Sequence, residues 1–434
     1  MDILKSVLAL EEYIVKMRRH FHENPEVSGK EDETVKVVCA ELEKMGIEYV
    51  DVPDGGVLGF INKDKPGKTV MLRGDLDALP MDEDPNNLIG PKVSVAKVKG
   101  ACHACGHDAH TAMLLAAAKV VNDNKEAFDG KIVLMFERGE EVTQNYIVLH
   151  KYLTDNGIKV DSSYGNHLYS DLESGKIAIM DTDVMSGSCS FDFTIRGRGG
   201  HGSRPDLSIS PLDPFLAIAN AINTLGPRFV SPFHKFTNII AQVHMGTQNN
   251  IIDETLRFGG GIRVYDHSDG VKVKAEMSRL VHSICESFNC TVDYELIRGP
   301  SFATVNDPVC AAMAREVVGK AIGDEKVIQV EPWMATESMS VHLKMFPGVF
   351  ALLGIQNKAK GIGAAHHNNK FDVDEDVLKY GAAAAVAYAE GFLASDIDTS
   401  TSPNKWTGTL LELLKAASTD PARLVVLEQG ERQA

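Results

Sequence analysis

The chain has 434 residues, of which 44 % are hydrophobic, and carries 44 basic against 60 acidic side chains for a formal charge of −16. At ~100–200 residues per domain this length predicts two or three units with room for a sizeable core. The negative field repels phosphate backbones and anionic headgroups, which disfavours nucleic acid and membrane surfaces as partners, and no run approaches the ~20 apolar residues of a membrane span.

The N-terminal MDILKSVLALEEYIVKMRRH reads as a charged amphipathic helix rather than a signal peptide, and seven scattered cysteines, an odd number in a long chain, read as reduced thiols; both point to the cytoplasm. Two helices are expected before residue 45, broken at Asn24-Pro25 and Ser28-Gly29. Short apolar runs follow: VLGFIN from 57, TVMLRGDLDALP from 69 and KIVLMFE from 131, with an alanine-rich helix over 108–121 between the last two. Strands alternating with helices argue for an α/β layer fold whose sheet is at least partly parallel.

From Ser188 the pattern changes to strand (CSFDFTIRG), helix (PLDPFLAIANAINTL), two strands (TNIIAQVHMG, TLRFGGGIRVYD), helix (VKVKAEMSRLVHSICESFN) and strand (TVDYELIRG). That β-α-β-β-α-β order is the ferredoxin-like pattern, and it predicts a small domain over 188–300 inserted into a larger one. The alternative is that these elements extend the first sheet. After Ser301, LKMFPGVFALLG and the helix DEDVLKYGAAAAVAYAEGFLA resume the first pattern, so the larger domain is expected to be discontinuous, 1–187 and 301–395. Residues 396–434 begin with the linker-like DIDTSTSPN and continue with LLELLKAAS and ARLVVLEQG, a tail suited to an accessory helix pair or a partner contact.

The densest chemistry lies in ACHACGHDAH, residues 101–110, which is open to three readings. Cys102 and Cys105 form a CxxC pair of the redox kind, but that use leaves the downstream histidines idle. Cys102, Cys105, His107 and His110 supply four ligands for a closed zinc site, though four within so tight a turn leave little room for tetrahedral placement. The third reading takes Cys105 and His107 alone, on a loop before a helix capped by Asp108, where the helix terminus lowers the thiol pKa. Further ligands must then come from other sheet edges. Glu140 and Glu141 at the end of the strand KIVLMFERGEE, His167 in GNHLY after a strand, and His366 and His367 in AAHHNNKF are the candidates. Adjacent carboxylates on a strand end point in opposite directions, which suits one to a metal and frees the other for proton transfer.

Six blocks in order, RRHFHENPEVSGKE, MLRGDLDALPM, HACGHDAHTAMLLAAAKVV, the Glu140-Glu141 pair, GRGGHGSRPDLSISPLDP and HHNNKFDVDEDVL, carry a resemblance over about residues 10–394. The chain resembles the M20-type metallopeptidases of the amidohydrolase branch, which include N-acyl-amino-acid, hippurate and auxin-conjugate hydrolases. The resemblance implies a thiolate of Cys105 bridging two divalent ions, with His107, Glu141, His167 and His367 completing the ligand set. It makes Glu140 the general base and Asp77 a carboxylate that orients a ligand. His201 is implied to reach substrate across a dimer interface, Asn250 and Arg263 to hold the substrate's carboxylate, and the inserted domain to serve as lid and homodimer contact. His103, His110 and His366 are left with supporting roles. The activity implied is hydrolysis of the amide bond of N-acyl amino acids. A dipeptidase on the same scaffold and a catalytically silent metal- or ligand-binding homologue are the alternatives. Manganese or zinc suits the ligand set best, with cobalt or nickel also compatible. Departures are visible too: Glu137-Arg138-Gly139 stands where the family usually has Gln-Pro-Ala, Val142-Thr143-Gln144-Asn145 replaces a glycine-rich loop, Asn368-Asn369 follows His367 where a proline is common, and Thr336-Glu337-Ser338 replaces Ser-Glu-Asp.

Overall fold

The computed structural model describes residues 1–142, 145–417 and 424. The N-terminal segment forms three helices rather than two, α1 (Ile3–Leu8), α2 (Glu11–Glu23) and α3 (Asp32–Lys44). A short extra helix forms at the start because Asp2 accepts the Lys5 N–H as an N-cap and Ile3 and Val7 bury on one face. Strands β1 (Glu48–Val52), β2 (Gly56–Ile61) and β3 (Thr69–Asp75) lead to α4 (His107–Asp123). Then come β4 (Lys131–Glu137), α5 (Tyr146–Asp155), β5 (Ser162–Glu173) and β6 (Ile177–Ala178). The chain next runs through β7 (Gly187–Arg196), α6 (Leu212–Ile222), β8 (Phe236–His244), β9 (Thr255–Val264), α7 (His267–Ser287) and β10 (Thr291–Arg298). It closes with α8 (Pro308–Ile322), β11 (Val327–Ile328), α9 (Met339–Met345), β12 (Val349–Gln356) and α10 (Leu378–Ala394).

Two compact units result. The first comprises Met1–Val184, Thr304–Pro332 and Glu337–Leu410; the second comprises Met185–Ala303, Trp333–Thr336 and the described residues that follow Leu410. In the first, an eight-stranded sheet runs in the order β1-β2-β4-β3-β5-β12-β6-β11. Its centre, β4-β3-β5-β12, is parallel, and β1 and β2 join antiparallel at one edge. Every residue of β3 is buried, as expected for a central parallel strand covered on both faces. The alanine-rich α4 is buried over most of its length and packs on β3, α2 and α10. Gly74 permits that approach: a Cβ there would already sit 3.3 Å from the His110 carbonyl oxygen and from Leu114 Cδ2.

The second unit has its own sheet, in the order β8-β9-β7-β10, with every neighbour antiparallel. This is the ferredoxin-like arrangement, and a separate sheet overturns the alternative that these elements extend the first. The alternation of β7 buries Cys189, Phe191, Phe193 and Ile195, while α6 contributes Phe215, Ile218 and Ile222 and α7 contributes Val273, Met277, Val281 and Cys285. Phe193 and Phe258 stack at the centre, 5.3 Å apart with planes 13° from parallel.

The segment read as a tail does not stand apart. Residues 396–410 count with the first unit, where Ser402 Oγ donates to Asp307 (2.6 Å) and Asn404 Nδ2 to the Asn306 carbonyl (2.9 Å). LLELLKAAS forms a helix over Leu410–Ala416 that buries Leu413 and Leu414, and the Ala416 carbonyl accepts from His267 Nε2 at 2.9 Å. The piece ARLVVLEQG lies outside the described residues except for Leu424. All seven cysteines are free thiols, and among the described residues no helix is long and apolar enough to cross a membrane. Phe258→Ala removes the stacked ring from the small core of the second unit; a loss of ~3–5 kcal/mol is expected, read as a lower denaturant midpoint for that unit.

Candidate metal centre

The site is built where β3 and β4 end. Asp75 closes β3 and is followed by Leu76 and Asp77; Glu137 closes β4 opposite Asp75 in the ladder. The helix α4 starts at His107, preceded by Gly106 at φ 95°, where a Cβ would lie 2.7 Å from Leu168 Cδ1. Only glycine fits both the left-handed turn and the contact, so Cys105 and His107 are held on either side of it.

This corrects two expectations. Asp108 is not the N-cap but a buried residue of the first turn of α4; its Oδ2 takes an ion pair from Arg18 Nε (2.9 Å) and a contact from His22 Nδ1 (2.8 Å). A buried guanidinium is a stronger partner than a backbone N–H, and against the effect of burial Arg18 and His22 hold the Asp108 carboxyl far below its ordinary range. The Cys105 thiol, expected to be acidified by the helix end, is instead pushed well up, first by complete burial and then by the Glu141 carboxylate. A thiolate at this position needs a cation beside it.

The first unit brings all five expected ligands together. Cys105 Sγ lies 3.4 Å from His167 Nε2, and His167 sits within β5 rather than after a strand. His107 Nδ1 is bonded to Asp77 Oδ1 at 3.0 Å, which leaves Nε2 facing Glu141 Oε1 (3.9 Å). The second Asp77 oxygen accepts from Ser28 Oγ and from the Glu141 N–H (3.0 Å), so one carboxylate fixes both a histidine ring and the backbone of Glu141. Glu140 and Glu141 are not on the strand end: β4 stops at Glu137, and the pair lies in the turn after Gly139 at φ 68°. Glu141 Oε1 lies 3.2 Å from His367 Nε2, and Glu140 Oε1 accepts the Ser338 N–H at 2.8 Å. Burial, Glu337 and Glu141 all raise the Glu140 carboxyl well above its ordinary value. His367 has φ 62°, unusual for a non-glycine residue, and is held there by its N–H on the Ala104 carbonyl (2.9 Å).

Two triads of ligand atoms, Cys105-His107-His167 and Cys105-Glu141-His367, each lie within 4.8 Å of one another and share the Cys105 sulfur. His107 Nε2 and Glu141 Oε1 are buried without a hydrogen bond. Buried polar atoms are seldom left unbonded, so an orphaned nitrogen and oxygen converging beside a thiol fit divalent ions bridged by that thiol.

The structure favours neither of the other two readings of ACHACGHDAH. Both ring nitrogens of His110 are engaged, Nδ1 with Asp75 Oδ1 (2.6 Å) and Nε2 as acceptor of the Leu168 N–H (2.9 Å), so it cannot complete a four-ligand zinc site. Burial pushes the Cys102 thiol up to about 12, which leaves no redox nucleophile at neutral pH. His366 Nε2 accepts the Ser170 N–H (3.2 Å), and His103 is buried with neither nitrogen hydrogen-bonded.

Sequence reasoning missed the charged layer beneath the ligands. Arg73 bonds Asp75 (2.7 Å), Glu137 (2.7 Å) and Glu337 (3.0 Å), and His342 Nε2 lies 2.9 Å from Glu137 Oε2. Burial raises Glu137, but Arg73 and His342 outweigh it and hold the carboxyl at about 2. Asp75 was detectable, since residues two apart on an extended chain share a side and Asp77 had been singled out.

In the second unit, His201 pairs with Ile251 in a short ladder and the Gly202 N–H donates to the Asn250 carbonyl (2.8 Å), which brings His201 and Asn250 together. His201 Nδ1 is 2.8 Å from Ser203 Oγ. Arg263, on β9, is half-buried and contacts Thr336 Oγ1 (3.2 Å); among the described residues it forms no ion pair, and burial lowers its pKa.

The fold and site together define a metal-binding hydrolase. Residues 71–391 match peptidase family M20/M25/M40, and the chain belongs to that family. It is 38 % identical over 391 residues to thermostable carboxypeptidase 2 of Saccharolobus solfataricus, covering 89 % of this chain and 97 % of that protein. It is 33 % identical to IAA-amino acid hydrolase ILR1-like 4 of Arabidopsis thaliana, over 88 % of this chain and 86 % of that one. The Bacillus subtilis YXEP protein, described as a dinuclear metal binding peptidase from the M20 family, superposes with a TM-score of 0.73 at 25 % identity over 89 % of this chain and 99 % of its own.

Asp77→Asn is expected to weaken metal retention by ~10–100-fold, read by competition with a chromophoric chelator. Because burial keeps the Cys105 thiol protonated in the metal-free chain, a divalent ion must displace that proton. Affinity is therefore expected to rise with pH between about 6 and 8 and metal uptake to release protons, checked by calorimetry in buffers of different ionisation enthalpy.

Proposed function

We propose that the chain hydrolyses the amide bond of N-acyl amino acids, or of similar small amides with a free carboxylate, with Cys105, His107, Glu141, His167 and His367 holding two divalent ions. The observation that carries this reading is the pair of ligand triads sharing Cys105 with Glu140 beside them: His107, Glu140 and Glu141 also offer atoms within 4.8 Å of one another. Bound divalent ions supply an acidified water and a polarised carbonyl. Glu140 takes the water's proton and returns it to the leaving nitrogen, without which an amine departs poorly; a carboxyl raised by burial and like charge suits a group that must hold a proton in mid-cycle. Arg263 has the planar fork that matches a carboxylate, and its lack of an ion pair among the described residues leaves that fork available. Asn250 assists it, and His201 donates to the oxyanion, a contact worth ~10²–10³ in turnover in other enzymes.

Manganese or zinc is the proposed metal, with cobalt and nickel as substitutes, and the reducing cytoplasm is the proposed setting for a free thiol ligand. A homodimer through the inserted domain is supported by β8, an edge strand that exposes Ile239 and Val243. A second reading, cleavage of dipeptides or of a carboxy-terminal residue, is favoured by the similarity to a carboxypeptidase and keeps the same free carboxylate.

Amine release from N-acetyl, N-benzoyl and longer N-acyl amino acids and from dipeptides, with chelated protein re-supplied with Mn²⁺, Zn²⁺, Co²⁺ or Ni²⁺, tests the proposal. Metal-dependent release is expected, reduced by ~10²–10⁴ in Glu140→Gln at unchanged metal content. Release that survives chelation or the Gln variant contradicts it.

A further inference from the structure

Glu137 and Ser338 both depart from the pattern the chain resembles, Glu for Gln and Ser for Asp, and the proposed reaction uses neither. The structure bonds them to each other: Ser338 Oγ donates to Glu137 Oε1 at 2.9 Å, and Arg73 Nη2 donates to Ser338 Oγ at 2.8 Å. The backbone N–H of the same Ser338 donates to Glu140 Oε1 at 2.8 Å. A closed circuit results, running from the Glu137 side chain through Ser338 to the Glu140 carboxylate and back along the turn from 140 to 137. One turn of α9 further on, His342 Nε2 meets the other Glu137 oxygen at 2.9 Å, so residues at i and i+4 grip both oxygens of one carboxylate. His342 is backed in turn by His150, Nε2 to Nδ1 at 2.8 Å with the rings 4.8 Å apart. Glu137, Arg73, His342 and His150 are all buried, so the arrangement has no water to substitute for a lost partner.

We infer that Glu137 and Ser338 are positioning residues that set where the Glu140 carboxylate sits, with Arg73 and His342 holding Glu137 in place. The inference rests on reading Glu140 as the base. Across the Glu137–Ser338 contact the carboxylate stands on the strand β4, whereas the resembled pattern places it at position 338 and an amide at 137. The hydrogen bond can therefore be kept with its polarity reversed.

That exchange supplies the test. Glu137→Gln turns its amide oxygen toward Arg73, which only donates, and so presents NH₂ to Ser338, leaving that hydroxyl only its longer contact with Glu337 Oε1 (3.3 Å) as acceptor. The variant is expected to lose about 10–100-fold in kcat with KM within about 3-fold and metal content unchanged. Its crystal structure should show Glu140 Oε1 beyond about 3.5 Å from the Ser338 N–H. Ser338→Thr keeps the hydroxyl and should retain turnover, and the double variant Glu137→Gln/Ser338→Asp should regain most of it by accepting from the new amide. Glu140 unmoved in Glu137→Gln, or a double variant no better than the single, overturns the inference. If the unaltered enzyme hydrolyses nothing, the hydrolase reading fails, and the position of Glu140 in the two crystal structures still decides this one.

Discussion

Three carboxylates, Asp75, Asp77 and Glu137, are buried at the ends of two neighbouring strands, and none can stay ionised there without a partner. Each is met from a different part of the chain. Asp75 is matched by Arg73 and His110, Asp77 by His107 and Ser28, Glu137 by Arg73, Ser338 and His342. Satisfying them pins the start of α4, the turn at Ser28-Gly29, the start of α9 and the turn carrying Glu140 and Glu141 to one edge of the sheet. The candidate ligands above are placed by the charges below.

The upper layer behaves in the opposite way. His107 Nε2 and Glu141 Oε1 are left unbonded, the Cys105 thiol is held protonated by burial, and His367 is kept at a positive φ by a single backbone bond. A chain that satisfies its deepest charges so fully yet leaves these atoms open has arranged them for something else to bind. Thiolate, imidazole and carboxylate together describe a divalent metal better than any organic ligand.

What could be read from the sequence followed how local the cause was. The small domain was legible because β7 alternates strictly and its two helices carry apolar stripes, patterns set by nearest neighbours. The ligand candidates were legible because reactive residue types crowd into short blocks whose order matches a known pattern. Asp108 was misplaced because its partner, Arg18, lies on a helix far upstream, and a buried ion pair outweighs the local habit of aspartate as a cap. The Glu140-Glu141 pair was put on a strand because nothing local marks the end of β4 except Gly139. The Arg73, Ser338 and His342 layer was invisible since its members are scattered singly: the parallel pairing of β3 with β4 sets Arg73 beside Glu137, and the start of α9 carries Ser338 and His342 to the same carboxylate.

The central claim is a pair of divalent ions sharing one sulfur. Anomalous diffraction from crystals loaded with Zn²⁺ or Mn²⁺ tests it most directly. The account predicts two peaks per chain, both within coordination distance of Cys105 Sγ, about 2.3 Å for zinc, one flanked by His107 and His167 and the other by Glu141 and His367. A single ion, or two ions neither of which touches Cys105, would contradict it.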